Sequence, residues 1–259
     1  MYITPNPIAW LVLLSWPLVV FIFYRKMAPD RALVWTVLGA YMLLPPLLKI
    51  DMPVVPDITK DSMPGLLGVA MAIFVLKDRI SFIPQSWIGR GLLVVFVLSP
   101  FATVLTNGEA IPKGPREMIQ GMRIYDSLAS VINQGIEILP FFLARRYLAS
   151  AESMRTILLA LVTAGLIYSV PMLIETQLSP QMNVWIYGYF QHDFWQTVRA
   201  GGYRPIVFMP HGLWVAFFAF MAVLAGVTFF KIGPAMRRPK QGAIAAYLLA
   251  LLLACKSMG

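Results

Sequence analysis

Charge is what this sequence most lacks. Only 13% of its 259 residues are Asp, Glu, Lys or Arg, and 59% are hydrophobic, whereas soluble domains carry about 25% charged residues. With a mean hydropathy of +0.72, an ordinary soluble domain is excluded. Cysteine is nearly absent, and Cys255 stands alone, so no internal disulfide exists. With two histidines and one cysteine, a zinc site built from Cys and His is excluded as well, and no metal or cofactor is expected. Acids are scarce beside bases, giving a net charge of +9. Nucleic acid is nevertheless not an expected partner. The positives lie between apolar blocks, and no helix or loop concentrates base-reading side chains. Internal repeats, low-complexity tracts and a soluble-domain boundary are missing too, so residues 1–259 read as a single transmembrane domain.

What is present is a series of apolar blocks: Pro7–Tyr24, Ala32–Leu48, Pro64–Leu76, Gly91–Thr106, Ile124–Ala144, Thr156–Ile174, Pro205–Phe230 and Gly242–Cys255. A helix needs roughly 20 residues to cross ~30 Å of hydrocarbon. The blocks therefore predict an all-α, polytopic bundle of about eight spans, the third and eighth being short at 13 and 14 residues. Basic side chains follow alternate blocks: Arg25, Lys26 and Arg31; Lys77, Arg79 and Arg90; Arg145, Arg146 and Arg155; Lys231, Arg237, Arg238 and Lys240. Only Asp30, Asp78 and Glu152 oppose them. Because basic loops stay cytoplasmic, the N-terminus is expected outside. Prolines within the blocks (Pro17, Pro45, Pro46, Pro100, Pro140, Pro171) are tolerated where neighbouring helices satisfy the freed backbone.

Three places could carry chemistry. In the fifth block Asp126, Ser130, Asn133 and Glu137 fall on one helical stripe, with Arg123 near its outer end. Such a stripe should face the bundle interior or a water-filled cavity, either as a hydrogen-bonded seam between helices or as part of a substrate cavity. The external segment 175–204 holds Trp185, Tyr187, Tyr189, Phe190, Phe194 and Trp195, interleaved with Gln191, His192, Asp193 and Gln196. Its rings suit the headgroup level of a membrane, and Trp185 and Trp195 equally suit stacking on sugars. The third place runs from Arg199 through Gly201, Gly202 and Arg204 to Pro210, His211 and Gly212. Pro210 fits the first turn of a helix, which places His211 at a helix N-terminus. There the dipole favours anions and a neutral imidazole, and the guanidinium of Arg204 suits a diphosphate. The arginines could instead be interfacial anchors. Lys256, at the end of the last block, either snorkels or joins the site of Arg204.

At these residues the sequence resembles the O-antigen ligase and O-antigen polymerase superfamily of bacterial inner-membrane glycosyltransferases. The resemblance rests on Arg-Pro-Ile-Val-Phe-x-Pro-His-Gly (Arg204 to Gly212) opening a span, and on the closing Lys-Ser-Met-Gly from Lys256, which is similar to a basic-Ser-x-Gly element. It is closest to branches associated with exopolysaccharide production. The resemblance implies a metal-independent helical bundle whose outward cavity binds an undecaprenyl-diphosphate-linked glycan, working with polysaccharide export and assembly machinery. On it, Arg204, His211 and Lys256 match the family pattern, with Arg199 a weaker match. His211 or Glu175 would orient or deprotonate an acceptor hydroxyl. Family members continue through further spans and a large external loop, so the chain is expected to be the N-terminal portion of a longer architecture. The alternative is a secondary transporter or lipid-linked oligosaccharide flippase with a midplane site at Glu137 and Asn133.

Overall fold

The computed structural model describes residues 4–52, 55–114, 117–199, 201–232 and 234–257. Asn6 opens the first helix, its side chain accepting from the Ala9 N–H at 3.0 Å, and Pro7 supplies a first position that needs no donor. This helix, α1 (Pro7–Lys26), is followed after a two-residue break by α2 (Pro29–Leu43). α2 stops five residues before the end of its apolar block because Pro45 and Pro46 cannot continue a helix, and Leu44 before them is extended. A hairpin of β1 (Lys49–Met52) and β2 (Val55–Thr59) leads to α3 (Met63–Phe74). Next come α4 (Trp87–Thr106) and a two-residue ladder of β3 (Ile111–Pro112) with β4 (Met118–Ile119). The fifth block is two helices, α5 (Ile124–Glu137) and α6 (Leu139–Tyr147), which meet at Ile138, with Pro140 in the first turn of α6.

The remaining elements carry the site. α7 (Ala151–Leu178) is followed by α8 (Met182–Tyr187) and a small hairpin of β5 (Val198–Arg199) and β6 (Gly202–Tyr203). Then come α9 (Gly212–Ile232) and α10 (Arg238–Ala254). With 28 residues, α7 is about 42 Å long at 1.5 Å per residue. It continues past Glu175 to Leu178, so the segment that follows starts later than the sequence suggests.

Five helical stretches are long and apolar enough to cross a membrane: α1, α4, α5 with α6, α7 and α9. Much of their surface faces outward. Leu92, Val95 and Leu98 of α4, for example, are more than half exposed. A water-soluble protein rarely exposes contiguous apolar surface on this scale, whereas a bilayer supplies the missing solvent. The molecule is a helical, membrane-type bundle.

Its core lies among α1, α2, α7, α9 and α10. One stripe of α1 (Ala9, Leu13, Trp16, Val20, Tyr24) is buried at spacings of three and four. Small residues bring α7, α9 and α10 close. A Cβ on Gly165 would lie 2.8 Å from the Ala222 Cβ, and one on Gly226 would lie 3.4 Å from Ala245. Close approach through small residues is how helices gain packing energy when lipid removes the hydrophobic drive. By contrast, α4 buries only Pro100 and Val104, and α5 only Ser127.

Candidate functional site

The seventh apolar block does not begin as a helix. Residues Arg204 through Met209 are buried yet non-helical, and α9 starts only at Gly212. The expectation that Pro210 opens this helix is therefore corrected by two residues. The cause is a set of buried polar side chains that claim the backbone of this segment. Glu175, 1% exposed, accepts from Ile206 N–H and Val207 N–H at 2.7 Å on one carboxylate oxygen. Its other oxygen accepts from Met182 N–H at 2.9 Å. The Tyr168 hydroxyl accepts from Phe208 N–H. Gln191 Nε2 donates to the carbonyls of Val207 and Met209. Lys60, 3% exposed, donates to the carbonyls of Phe208 and Tyr41. Burial lowers the Lys60 pKa to about 8. Pro205 and Pro210 have no N–H to satisfy. Irregular backbone at membrane depth is tolerated only when it is enclosed and hydrogen-bonded like this.

Glu175 thus has a structural task. Sequence reasoning offered it as a proton acceptor for a hydroxyl, but three backbone donors occupy its carboxylate and solvent hardly reaches it. It positions the plug formed by residues 205–210.

At the edge of that plug the predicted cations meet. Arg204 is 7% exposed and its stem lies against the start of α9. A Cβ on Gly212 would come within 2.3 Å of the Arg204 Cδ and 2.5 Å of its Cγ, so only glycine leaves room there. Arg204 Nη2 reaches the Lys256 carbonyl at 3.5 Å, while its Nε is buried with no hydrogen-bond partner. Lys256 Nζ donates to the Gly201 carbonyl. In the hairpin Arg199 pairs with Gly202; Gly202 has φ +143, and a Cβ there would lie 2.6 Å from Lys256 Nζ. Glycine is required there by that backbone conformation and because a Cβ would also lie 2.9 Å from the Thr176 carbonyl oxygen. Lys256 therefore joins the site of Arg204. Met258 and Gly259 of the closing motif, and Ala200 of the hairpin, lie outside the described residues.

His211 directly precedes α9, and its Nδ1 accepts from Leu213 N–H at 2.9 Å. A neutral imidazole in this place carries its proton on Nε2. Burial, then His192, Arg204 and Arg199, hold the His211 pKa below its ordinary value. The ring of His192 packs on it edge to face, with centroids 4.4 Å apart, and His192 Nε2 is buried without a partner. Both histidines of the chain thus meet at one point. Sequence reading treated His192 as one polar residue among aromatics; that both histidines flank the basic motif was the available signal.

Among the described residues none of Arg199, Arg204 or Lys256 forms an ion pair; the salt bridges found are Lys49–Asp57 and Arg146–Asp78. A cluster of like charges with a buried, unpartnered guanidinium nitrogen is the chemistry of an anion site. Burial, and after it the neighbouring charge of Arg199, lower the pKa of Arg204. Trp195 is 79% exposed and joins a ring series, Phe194 packing on Trp195 and on Tyr203 next to Arg204. Trp185 is 56% exposed on α8 and is not part of that series.

Glu137 is elsewhere. With Asn133 it lines an open depression of about 470 Å³ facing Asp57, Thr59 and Asp61 of the β2 region. Of the two settings expected for the α5 stripe, the buried seam does not form, since Asp126, Asn133 and Glu137 are exposed, whereas Asn133 and Glu137 do line an open cavity. The reason is that α5 docks chiefly on α4 and only lightly on α3 and β2, at the margin of the bundle, while Asp126 caps the start of α5 by accepting from Arg123 N–H at 2.7 Å. Compared with protein-family models, with curated proteins and with solved structures, the chain matches none of them.

Proposed function

We propose that this chain is part of a bacterial inner-membrane polysaccharide polymerase or ligase, with eight spans and the N-terminus on the periplasmic side. Its donor is an undecaprenyl-diphosphate-linked glycan, and polysaccharide export and assembly machinery is its working context. The observation that carries this reading is the Arg199–Arg204–Lys256 cluster, unpaired among the described residues, beside a histidine pair at the mouth of the bundle. In the reaction an acceptor hydroxyl attacks the anomeric carbon of the donor, and the bond from that carbon to the carrier phosphate breaks. Negative charge develops on the departing diphosphate, where Arg204, Arg199 and Lys256 stabilise it. His211 donates from Nε2 to orient the reacting groups. The acceptor proton passes to His192, whose Nε2 has no hydrogen-bond partner, and not to His211 or Glu175. Trp195, and more distantly Trp185, offer faces for sugar rings. Glu137 has no part in the transfer, which separates this reading from transport through a midplane site.

The test is glycan chain length in cells producing the protein with Arg204→Ala, together with binding of undecaprenyl diphosphate by the purified protein. Removing one preorganised donor from a developing oxyanion costs about 10²–10³ in rate, so long polymer should disappear and lipid binding should weaken. Unchanged long polymer at equal expression would overturn the proposal.

A further inference from the structure

The opposite end of the α7–α9–α10 packing holds a second cationic feature that the transfer reaction does not use. A cavity of about 470 Å³ opens between these three helices. Its walls are apolar, formed by Leu159 and Val162 of α7, Phe229 of α9 and Ile244 of α10. It also carries Arg155 of α7 and, at the start of α10, Arg237 and Lys240. None of the three is in an ion pair among the described residues. Nearby Gln241 presents a buried Oε1 with no hydrogen-bond partner. α9 and α10 stay close at Gly226 and again at Gly242, which packs on the Phe230 ring, so the opening lies between this pair and α7.

We propose that this cavity binds the headgroup of an anionic membrane phospholipid. The phosphate sits among Arg155, Arg237 and Lys240, and an acyl chain runs along Leu159, Val162 and Phe229. The lining suits an amphiphile, combining three cations with a mostly apolar wall. A free anion would meet the cations without the wall. Basic residues near an anionic surface attract it, and a cavity that converges three of them adds position to charge. The inference stands on the membrane reading alone and does not depend on glycosyl transfer.

The experiment titrates phosphatidylglycerol, phosphatidylcholine and inorganic phosphate against the detergent-purified full chain, with bound lipid counted by native mass spectrometry. Expected is one tight phosphatidylglycerol site, at least tenfold preferred over phosphatidylcholine and not displaced by millimolar phosphate. The triple variant Arg155→Gln, Arg237→Gln, Lys240→Gln should lose this preference. A charge-matched triple at the same end, Arg25→Gln, Lys26→Gln, Arg79→Gln, should keep it. Val162→Phe fills the wall without altering charge and should weaken the lipid while leaving any phosphate binding unchanged. Equal losses in both triples would overturn the proposal in favour of diffuse surface attraction. Displacement by inorganic phosphate would overturn it in favour of a free-anion site. Circular dichroism of each variant confirms that helix content is retained, and Val162→Phe tests the site even if the charge triple fails to fold.

Discussion

The two ends of α7, α9 and α10 handle positive charge in opposite ways. At one end Arg155, Arg237 and Lys240 stand exposed around an open cavity, placed only by where their helices emerge. At the other end Arg204 is buried, its stem held by Gly212 and its surroundings fixed by the hydrogen bonds of Glu175, Tyr168, Gln191 and Lys60. Exposed cations are solvated whether or not an anion is present, so they add affinity in small increments. A buried cation that has already lost its water gains far more from an arriving phosphate. Preorganisation, more than charge count, separates the two ends.

The largest effect expected from attacking this contrast is at Glu175. Glu175→Ala would leave three backbone N–H groups without their acceptor, each costing about 1–3 kcal/mol. Thermal unfolding in detergent should show severe loss of stability or no folded protein, and a wild-type midpoint would refute the plug as described. Second is Gly212→Ala. It forces the Arg204 stem to move, so undecaprenyl-diphosphate binding should fall at least tenfold while helix content persists. The control, Gly91→Ala in α4, meets nothing within 4 Å and should be neutral or slightly stabilising.

Lys60 gives a pH signature of intermediate size. Its folded pKa of about 8 lies below the unfolded value of about 10.4. Between those values the unfolded chain binds more protons, so stability should rise with pH across this window, by up to about 3 kcal/mol. Above it the neutral amine still has two N–H donors for its two carbonyl acceptors. Lys60→Met should flatten that slope, as read from unfolding midpoints at pH 8 and pH 10. Smaller still is the His211 titration. Its midpoint should lie below the ordinary histidine value and move upward in Arg204→Met, followed by NMR of labelled histidine; an unmoved midpoint would mean that Arg204 does not act on the ring. Least of all should be Arg146→Ala. Its pair with Asp78 is exposed to water and its loss should not shift the unfolding midpoint resolvably.

How much of this was legible beforehand follows from the range of each interaction. The apolar blocks forecast the helices because span length and hydropathy are local properties of about 20 residues. The cations at Arg199, Arg204 and Lys256 could be suspected because they sit where positive charge is unexpected. Two readings went astray for one reason. The stripe on α5 has the spacing of a buried seam, but α5 docks at the margin, and periodicity does not say which neighbour a face will meet. Glu175 looked available for chemistry because nothing local announces that Ile206 and Val207, some thirty residues onward, will take one oxygen of its carboxylate while Met182 takes the other. Lys60 was invisible as a site residue for the same cause.

The amino-acid order by itself determined that this chain seeks a bilayer, where its helices fall, and which end of the bundle is rich in base, since hydropathy and charge act over a turn or two. Only the folded arrangement decided that an apolar stretch after Pro205 stays unwound and that Arg204 is stripped of water. It also decided that both histidines touch. Each of those outcomes depends on hydrogen bonds and packing between segments far apart in the chain, and such contacts have no counterpart in any local window of residues.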